Sequence, residues 1–155
     1  MDEFRCSIEL RADDSRQSPG RIVGTLIEYG KRASDRAEVF ADGALSWPDA
    51  GVILNEQHAR SQPIMRFVPS IEGRAVKIDA PLPDTQRGRD AATMIRNGTM
   101  TGLSIEFRAT SEGRVGGVRE VRAARLMGAA VVDSASYEGA LEVREGAKRK
   151  VRVWL

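Results

Sequence analysis

Cysteine and histidine are almost absent from this chain of 155 residues, which contains one of each. The single cysteine, Cys6, excludes an internal disulfide and suits a reducing compartment. One cysteine and one histidine are too few for a Cys/His zinc site, so we expect neither a metal nor a cofactor. No apolar run approaches the length of a transmembrane helix, and the formal net charge is only +2. Neither a membrane nor nucleic acid is therefore an expected partner.

Short stretches of alternating apolar and polar residues are abundant instead, and they predict many short β-strands. Phe4–Leu10 and Arg21–Tyr29 are the clearest near the start of the chain. Further on, Ile64–Val68 and Gly73–Ala80 are predicted to form an antiparallel hairpin, because turn residues lie between them.

One helix is predicted near the middle of the chain, over residues 85–97, with Asp84 as its N-cap. Many short strands around one helix indicate a mainly β fold, a mostly antiparallel barrel or sandwich with a packed helix. We expect a single domain over residues 1–155, with a core over 4–145 and a basic tail over 146–155.

A candidate nucleophile lies in the stretch Thr99–Phe107. Leu103, Ile105 and Phe107 alternate with polar residues, which predicts a strand whose apolar face is buried. Ser104 then points away from the core, where a substrate could reach it. Most serines in such a position are ordinary surface residues, so the alternation alone does not establish catalysis.

The candidate base is His58, since it is the only histidine in the chain. A serine hydroxyl needs a base to remove its proton, and histidine titrates near neutral pH. His58 follows the short apolar run Val52–Leu54 and precedes Pro63, which predicts a strand end entering a polar loop. The alternative interpretation is a solvated loop histidine with no partner.

Five segments follow one another in an order and spacing that is specific as a set. They are Arg21–Gly30, Val39–Leu45, Leu54–His58 with Pro63–Arg66, Leu82–Asp90 with its helix running into Gly102–Phe107, and Val131–Ser136. Together they resemble the prohead (capsid-maturation) proteases of tailed bacteriophages, distant relatives of the herpesvirus assemblin proteases. The resemblance extends from about Arg21 to Val143.

This resemblance implies a closed, mostly antiparallel β-barrel of the assemblin type. It implies that Ser104 is the nucleophile of a serine endopeptidase and that His58 is its general base. The implied substrate is the scaffolding segment of a major capsid protein, or a separate scaffold protein, together with the protease itself. Cleavage would occur in the host cytoplasm, inside the immature capsid. A backbone amide in residues 134–139 is the implied oxyanion donor, and homo-oligomerisation stays open.

The third catalytic group is where the chain departs from the family pattern. The family places an acid on the strand after the nucleophile strand, and Gly128 occupies that place here. Such an acid fixes the tautomer of the base and stabilises the imidazolium. Asp133 is the first candidate to replace it. Glu106, which stands where the family commonly has glycine, and Glu56 are the next candidates.

Three functions stay open at this point. The first is an active capsid-maturation protease, and the second is an inactive copy of the fold retained as a scaffold or assembly factor. The third is a β-barrel binding module without a viral role. The basic segment Lys148–Arg152 is either a solvated tail or a docking site for an acidic scaffold or packaged nucleic acid.

Overall fold

The computed structural model describes residues Ser18–Glu145, which form ten strands and one helix. The mainly β character and the central helix agree with the sequence prediction. The predicted strand Phe4–Leu10, Cys6 and the basic tail lie outside the described residues. The strands are β1 (Arg21–Glu28), β2 (Glu38–Phe40), β3 (Leu45–Ser46), β4 (Val52–Glu56), β5 (Ala59–Phe67), β6 (Ser70–Glu72), β7 (Ala75–Pro81), β8 (Gly102–Val115), β9 (Val118–Val132) and β10 (Leu141–Arg144), and helix α1 spans Gln86–Arg96.

The strands form two sheets. The smaller sheet has the order β10-β1-β7-β6, and all its pairings are antiparallel. The larger sheet is built around β9, which pairs along one edge with β8 in antiparallel fashion. Along its other edge β9 pairs in turn with β2, β3 and β4, all parallel, and β5 then pairs with β4. The pairings among the described strands do not join the two sheets into a closed barrel, so the closed barrel stays a prediction.

The core lies where β1 approaches β8. Leu103 points inward from β8 and is 2% exposed. A Cβ built on Gly24 of β1 would come within 2.6 Å of Leu103 Cδ1, so the absence of a side chain at Gly24 allows this approach. Ile22, Leu54 and Val131 are completely buried in the same apolar cluster. The inward residues of β8 are thus fixed by packing, which also fixes the outward direction of their neighbours.

The helix matches its prediction to within one residue at each end, but its N-cap does not. Thr85, rather than the predicted Asp84, is the N-cap, and its Oγ1 accepts a hydrogen bond from Gly88 N at 3.1 Å. Asp84 instead forms an ion pair with Arg89. Either side chain can cap a helix, but the helix begins at Gln86, so Thr85 is the residue immediately before it and takes the N-cap position. Within the part of the chain described, no helix is long and apolar enough to cross a membrane.

The predicted hairpin between Ile64–Val68 and Gly73–Ala80 is wrong. The first segment belongs to β5, which pairs with β4 in the larger sheet. The second lies mostly in β7, which pairs with β1 and β6 in the smaller sheet. Ser70–Glu72, predicted as the loop, is the strand β6. Alternation identifies a strand, but its partners depend on packing between distant parts of the chain.

Candidate active site

Ser104 and Glu106 share the outward face of β8. Leu103 and Ile105 point towards the core, so the two residues that alternate with them point away from it. In the register with β9, Ser104 lies opposite Ala130 and Glu106 lies opposite Gly128. Both outward side chains are half-buried, and two residues of strand separate them by about 6.7 Å. A nucleophile and a carboxylate therefore stand side by side on one face.

His58 lies in the tight turn that joins β4 to β5. Gln57 and His58 form the turn between Glu56 and Ala59, and their φ angles are +51° and +60°. Positive φ at both central residues is the geometry of a type I′ hairpin turn, which normally contains asparagine or glycine. Gln57 N also donates a hydrogen bond to Val131 O at 2.9 Å, which attaches the turn to β9. The turn thus holds His58 in a defined but unfavourable backbone conformation.

The structure brings His58 into contact with Glu106. His58 Nδ1 and Glu106 Oε1 are 3.0 Å apart, and each side chain is a little over one third exposed. A carboxylate only accepts hydrogen bonds, so Nδ1 is the protonated nitrogen in this contact. The other ring nitrogen, Nε2, is then available as an acceptor. This is the arrangement that a histidine needs in order to act as a base.

Gly128 provides the space through which Glu106 reaches His58. Strand β9 lies between β8, which carries Glu106, and β4, which leads to His58. A Cβ built on Gly128 would lie 3.5 Å from Glu106 Oε2 and 3.5 Å from Ile53 O. The Glu106 carboxylate therefore lies directly above the backbone of Gly128. A larger side chain at Gly128 would occupy the volume that this carboxylate uses.

The register brings the turn that carries His58 to the end of β9 that pairs with the start of β8. Strand β4 ends level with Val131, which pairs with Leu103 on β8. His58 contacts Glu106, which lies on the same strand face as Ser104. No hydrogen bond joins Ser104 Oγ to His58 within residues 18–145.

Asp133, the first candidate for the orienting acid, lies elsewhere on the site. It follows β9 and lines an open depression of about 250 Å³ with Thr101 and the loop after β9. Its backbone oxygen accepts a hydrogen bond from Thr101 Oγ1 at 2.8 Å. Among the described residues, neither Asp133 nor Glu56 forms a hydrogen bond with His58, whereas Glu106 does. Of the three carboxylates that the sequence offered, Glu106 is the one that contacts His58 among the described residues.

The loop of residues 134–139 packs against the start of β8. A Cβ built on Gly102 would come within 2.7 Å of Ala135 Cβ, so glycine is needed for the loop to approach this closely. Gly102 is two residues before Ser104 and on the same strand face. The nucleophile candidate therefore lies between this loop on one side and Glu106 with His58 on the other.

The loop is held by a buried carboxylate. Tyr137 Oη donates a hydrogen bond to Glu38 Oε1 at 3.0 Å, and Glu38 is 2% exposed. Arg36 and Arg119 form ion pairs with the same carboxylate, at 3.0 and 2.8 Å. Burial and the adjacent Glu38 raise the pKa of the Tyr137 phenol, so it remains a donor across the physiological range. This network fixes the loop next to Ser104, and the sequence analysis did not find it.

Comparison with known protein families gives a match over most of the chain. The family model of the caudovirus prohead serine proteases matches residues 6–151 of the chain. No curated protein and no solved structure matches it. Among the residues described, no group of three or more His, Cys, Asp or Glu side chains is placed to hold a metal ion.

Proposed function

The chain belongs to the caudovirus prohead serine proteases, and we propose that it is the endopeptidase that processes the capsid or scaffold protein during prohead maturation. One observation carries the assignment of its catalytic residues. The single histidine is hydrogen-bonded through Nδ1 to a carboxylate that shares a strand face with Ser104. A base that is oriented in this way, next to a serine on an accessible face, is the arrangement of a serine hydrolase.

In the proposed mechanism, Ser104 Oγ attacks the carbonyl carbon of the scissile peptide bond. His58 Nε2 takes the proton from the hydroxyl as the new C–O bond forms, and later donates it to the leaving amine. Water then hydrolyses the ester that links Ser104 to the acyl part of the substrate, with His58 again removing the proton. Each step leaves the imidazolium transiently charged, so a nearby carboxylate stabilises it.

Glu106 is the carboxylate that we assign to this role, in place of the first candidate, Asp133. Its contact with Nδ1 holds the proton on that nitrogen and leaves Nε2 free for Ser104. Glu106 is thus a positioning residue that acts through His58. For the developing oxyanion we propose backbone amides of residues 134–139, because this loop packs against the strand face that carries Ser104.

Capsid-maturation proteases of this kind act inside the immature capsid in the host cell. The proposed substrates are the scaffolding segment of the major capsid protein or a separate scaffold protein, and the protease itself is a further substrate. A protein substrate with an extended segment suits an open site better than a small molecule does, and the depression lined by Gly102, at the start of the strand that carries Ser104, is not enclosed.

The test is co-expression with the capsid and scaffold proteins encoded next to this chain, followed by mass spectrometry of the products. We expect processing by the wild type and a loss of about 10⁶-fold in turnover for Ser104→Ala. Ser111→Ala is the matched control, because Ser111 is an exposed serine further along the same strand. Equal processing by Ser104→Ala and the wild type would exclude the assignment.

An inactive assembly factor is the second candidate, and the lack of a Ser104–His58 hydrogen bond within the described residues favours it. A fluorophosphonate reacts covalently only with a serine that a base has activated. We expect an adduct on Ser104 that is absent from His58→Ala. A folded wild-type protein that gives no adduct and no processing would support the inactive alternative.

A further inference from the structure

We propose that Gly128 keeps open a carboxylate position above β9, and that this position accepts an orienting acid from either of the two adjacent strands. The carboxylate position is the space between Gly128, Ile53 O and His58 Nδ1 that the Glu106 carboxylate now occupies. The inference rests on the proposed function for its catalytic meaning. Its structural part is that side chains at residues 106 and 128 can reach the same position, and the distances alone support this part.

The distances show that a side chain at residue 128 points at the same space. Glu106 Oε2 and Cδ lie 3.5 and 3.9 Å from a Cβ built on Gly128. The separation from Oε2 is close to the span from Cβ to a carboxylate oxygen within a glutamate side chain, whereas aspartate is shorter. A glutamate introduced at residue 128 would therefore bring a carboxylate oxygen to where Glu106 Oε2 lies, at the edge of the carboxylate position. Only one of the two can occupy the position, because two adjacent carboxylates repel each other.

The backbone of Gly128 permits this exchange. Its φ angle is not positive, and the nearest atoms to the built Cβ are at ordinary contact distances. Glycine is therefore not required by backbone conformation or by a tight contact. The remaining reason for its presence is the space that the Glu106 side chain needs as it crosses β9. The glycine at residue 128 and the acid at residue 106 therefore depend on each other, because Gly128 leaves free the space that the Glu106 carboxylate fills.

The test is a cycle of three variants: Glu106→Gly, Gly128→Glu and the double variant that combines them. We expect Glu106→Gly to lower kcat by about 10⁴-fold, as loss of the orienting acid does in other serine proteases. The double variant should recover kcat to within about tenfold of the wild type, by returning a carboxylate to Nδ1. Gly128→Glu alone should be less stable than the double variant, since it places two carboxylates together.

A second readout does not depend on catalysis. The chain has one histidine, so the ¹⁵N signals of His58 are assigned without ambiguity. With the ring neutral, we expect the Nδ1–H tautomer to dominate in the wild type and the double variant, and the Nε2–H tautomer to increase in Glu106→Gly. This measurement decides the structural claim even if the protein cleaves nothing.

The matched control is Glu106→Gly combined with Ala123→Glu. Ala123 pairs with Ser111 on β8, five residues along β9 from Gly128, so this change adds the same charge on the same strand away from the carboxylate position. Gly128→Ala, which only adds the Cβ, checks that the site tolerates a side chain. The proposal is overturned if the folded double variant restores neither kcat nor the tautomer, or if the Ala123 control restores them equally.

Discussion

His58 and Glu106 are 48 residues apart in the chain, yet Nδ1 of one and Oε1 of the other are 3.0 Å apart above β9. Each residue is placed by its own element, a two-residue turn for His58 and the outward face of a strand for Glu106. The strand between them contributes a glycine and so does not obstruct the contact. The contact therefore fixes the orientation of the imidazole, and in the proposed mechanism this orientation lowers the reorganisation needed in the transition state.

The first prediction concerns the isosteric change Glu106→Gln. It removes the charge and adds an amide donor that favours the wrong tautomer of His58, but it keeps the volume, so we expect kcat to fall by about 10³–10⁴-fold with little change in KM. The free energy of unfolding should change by less than about 1 kcal/mol, because both side chains of this hydrogen-bonded pair are partly exposed. Steady-state kinetics and urea unfolding measure the two effects. Glu72→Gln, in an exposed ion pair on β6, is the control that should leave kcat unchanged.

The second prediction concerns strain in the β4–β5 turn. Gln57 has φ +51°, a conformation that a non-glycine residue adopts at a free-energy cost. Gln57→Gly should raise the free energy of unfolding by about 1 kcal/mol, measured by urea denaturation. Gln62→Gly is the matched control on β5, where φ is not positive, and it should lower stability by about 0.5–1 kcal/mol. Equal effects at the two positions would show that the turn stores no strain.

Much of the local structure was predictable because it depends on near neighbours in the chain. Alternation at Leu103, Ile105 and Phe107 gave the strand and the outward direction of Ser104, and both are observed. The apolar stripe gave the helix to within one residue. The hairpin prediction failed because β5 and β7 each pair with strands that their own residues do not specify.

The carboxylate that contacts His58 was not predictable for a related reason. Asp133, Glu106 and Glu56 all lie close to a catalytic candidate in sequence, and nothing local distinguishes them. The contact with His58 depends on the register of β8 and β4 against β9, which is a property of the folded sheet. One signal was present: compared with the pattern that the family resemblance implies, the chain has a glycine in place of an acid at residue 128 and an acid in place of a glycine at residue 106. The cross-strand pairing places these two residues opposite each other.

The third prediction concerns stability at alkaline pH. Burial and Glu38 raise the pKa of Tyr137 above its ordinary value near 10, so the folded protein holds this proton more tightly than the unfolded chain does. The stabilisation is fully present below about pH 10 and is lost as pH rises towards the folded pKa. Tyr137→Phe should therefore flatten the fall in stability above about pH 10, measured by urea unfolding at a series of pH values.

The same variant should also destabilise the protein at neutral pH, because Glu38 loses a hydrogen-bond donor in a buried position. The expected loss is about 1.5–3 kcal/mol, the range for hydrogen bonds to charged groups. Tyr29, the other tyrosine in the chain, also has a raised pKa because it is buried. It therefore still contributes to the fall in stability at alkaline pH in the Tyr137→Phe variant. An unchanged alkaline slope in Tyr137→Phe would contradict the assignment of that slope to Tyr137.

The fourth prediction tests whether the loop of residues 134–139 must lie close to Ser104. Gly102→Ala would place a methyl group within 2.7 Å of Ala135 Cβ, so the loop must move away. We expect a loss of about 1–3 kcal/mol in stability and a fall in kcat/KM for capsid or scaffold substrate, if the loop supplies the oxyanion donors. Adding Ala135→Gly removes the opposing methyl group, so the double variant should recover both quantities.

Gly113→Ala is the control for adding a methyl group to a glycine on β8. The nearest atoms to a Cβ there belong to the guanidinium of Arg122, which can move aside, so this variant should unfold at nearly the same urea concentration as the wild type. The compensation by Ala135→Gly is the decisive result, because general damage to β8 would not be repaired by a change in the loop. If Gly102→Ala lowers stability and kcat/KM and Ala135→Gly restores stability alone, the loop contact is structural and the oxyanion donors lie elsewhere.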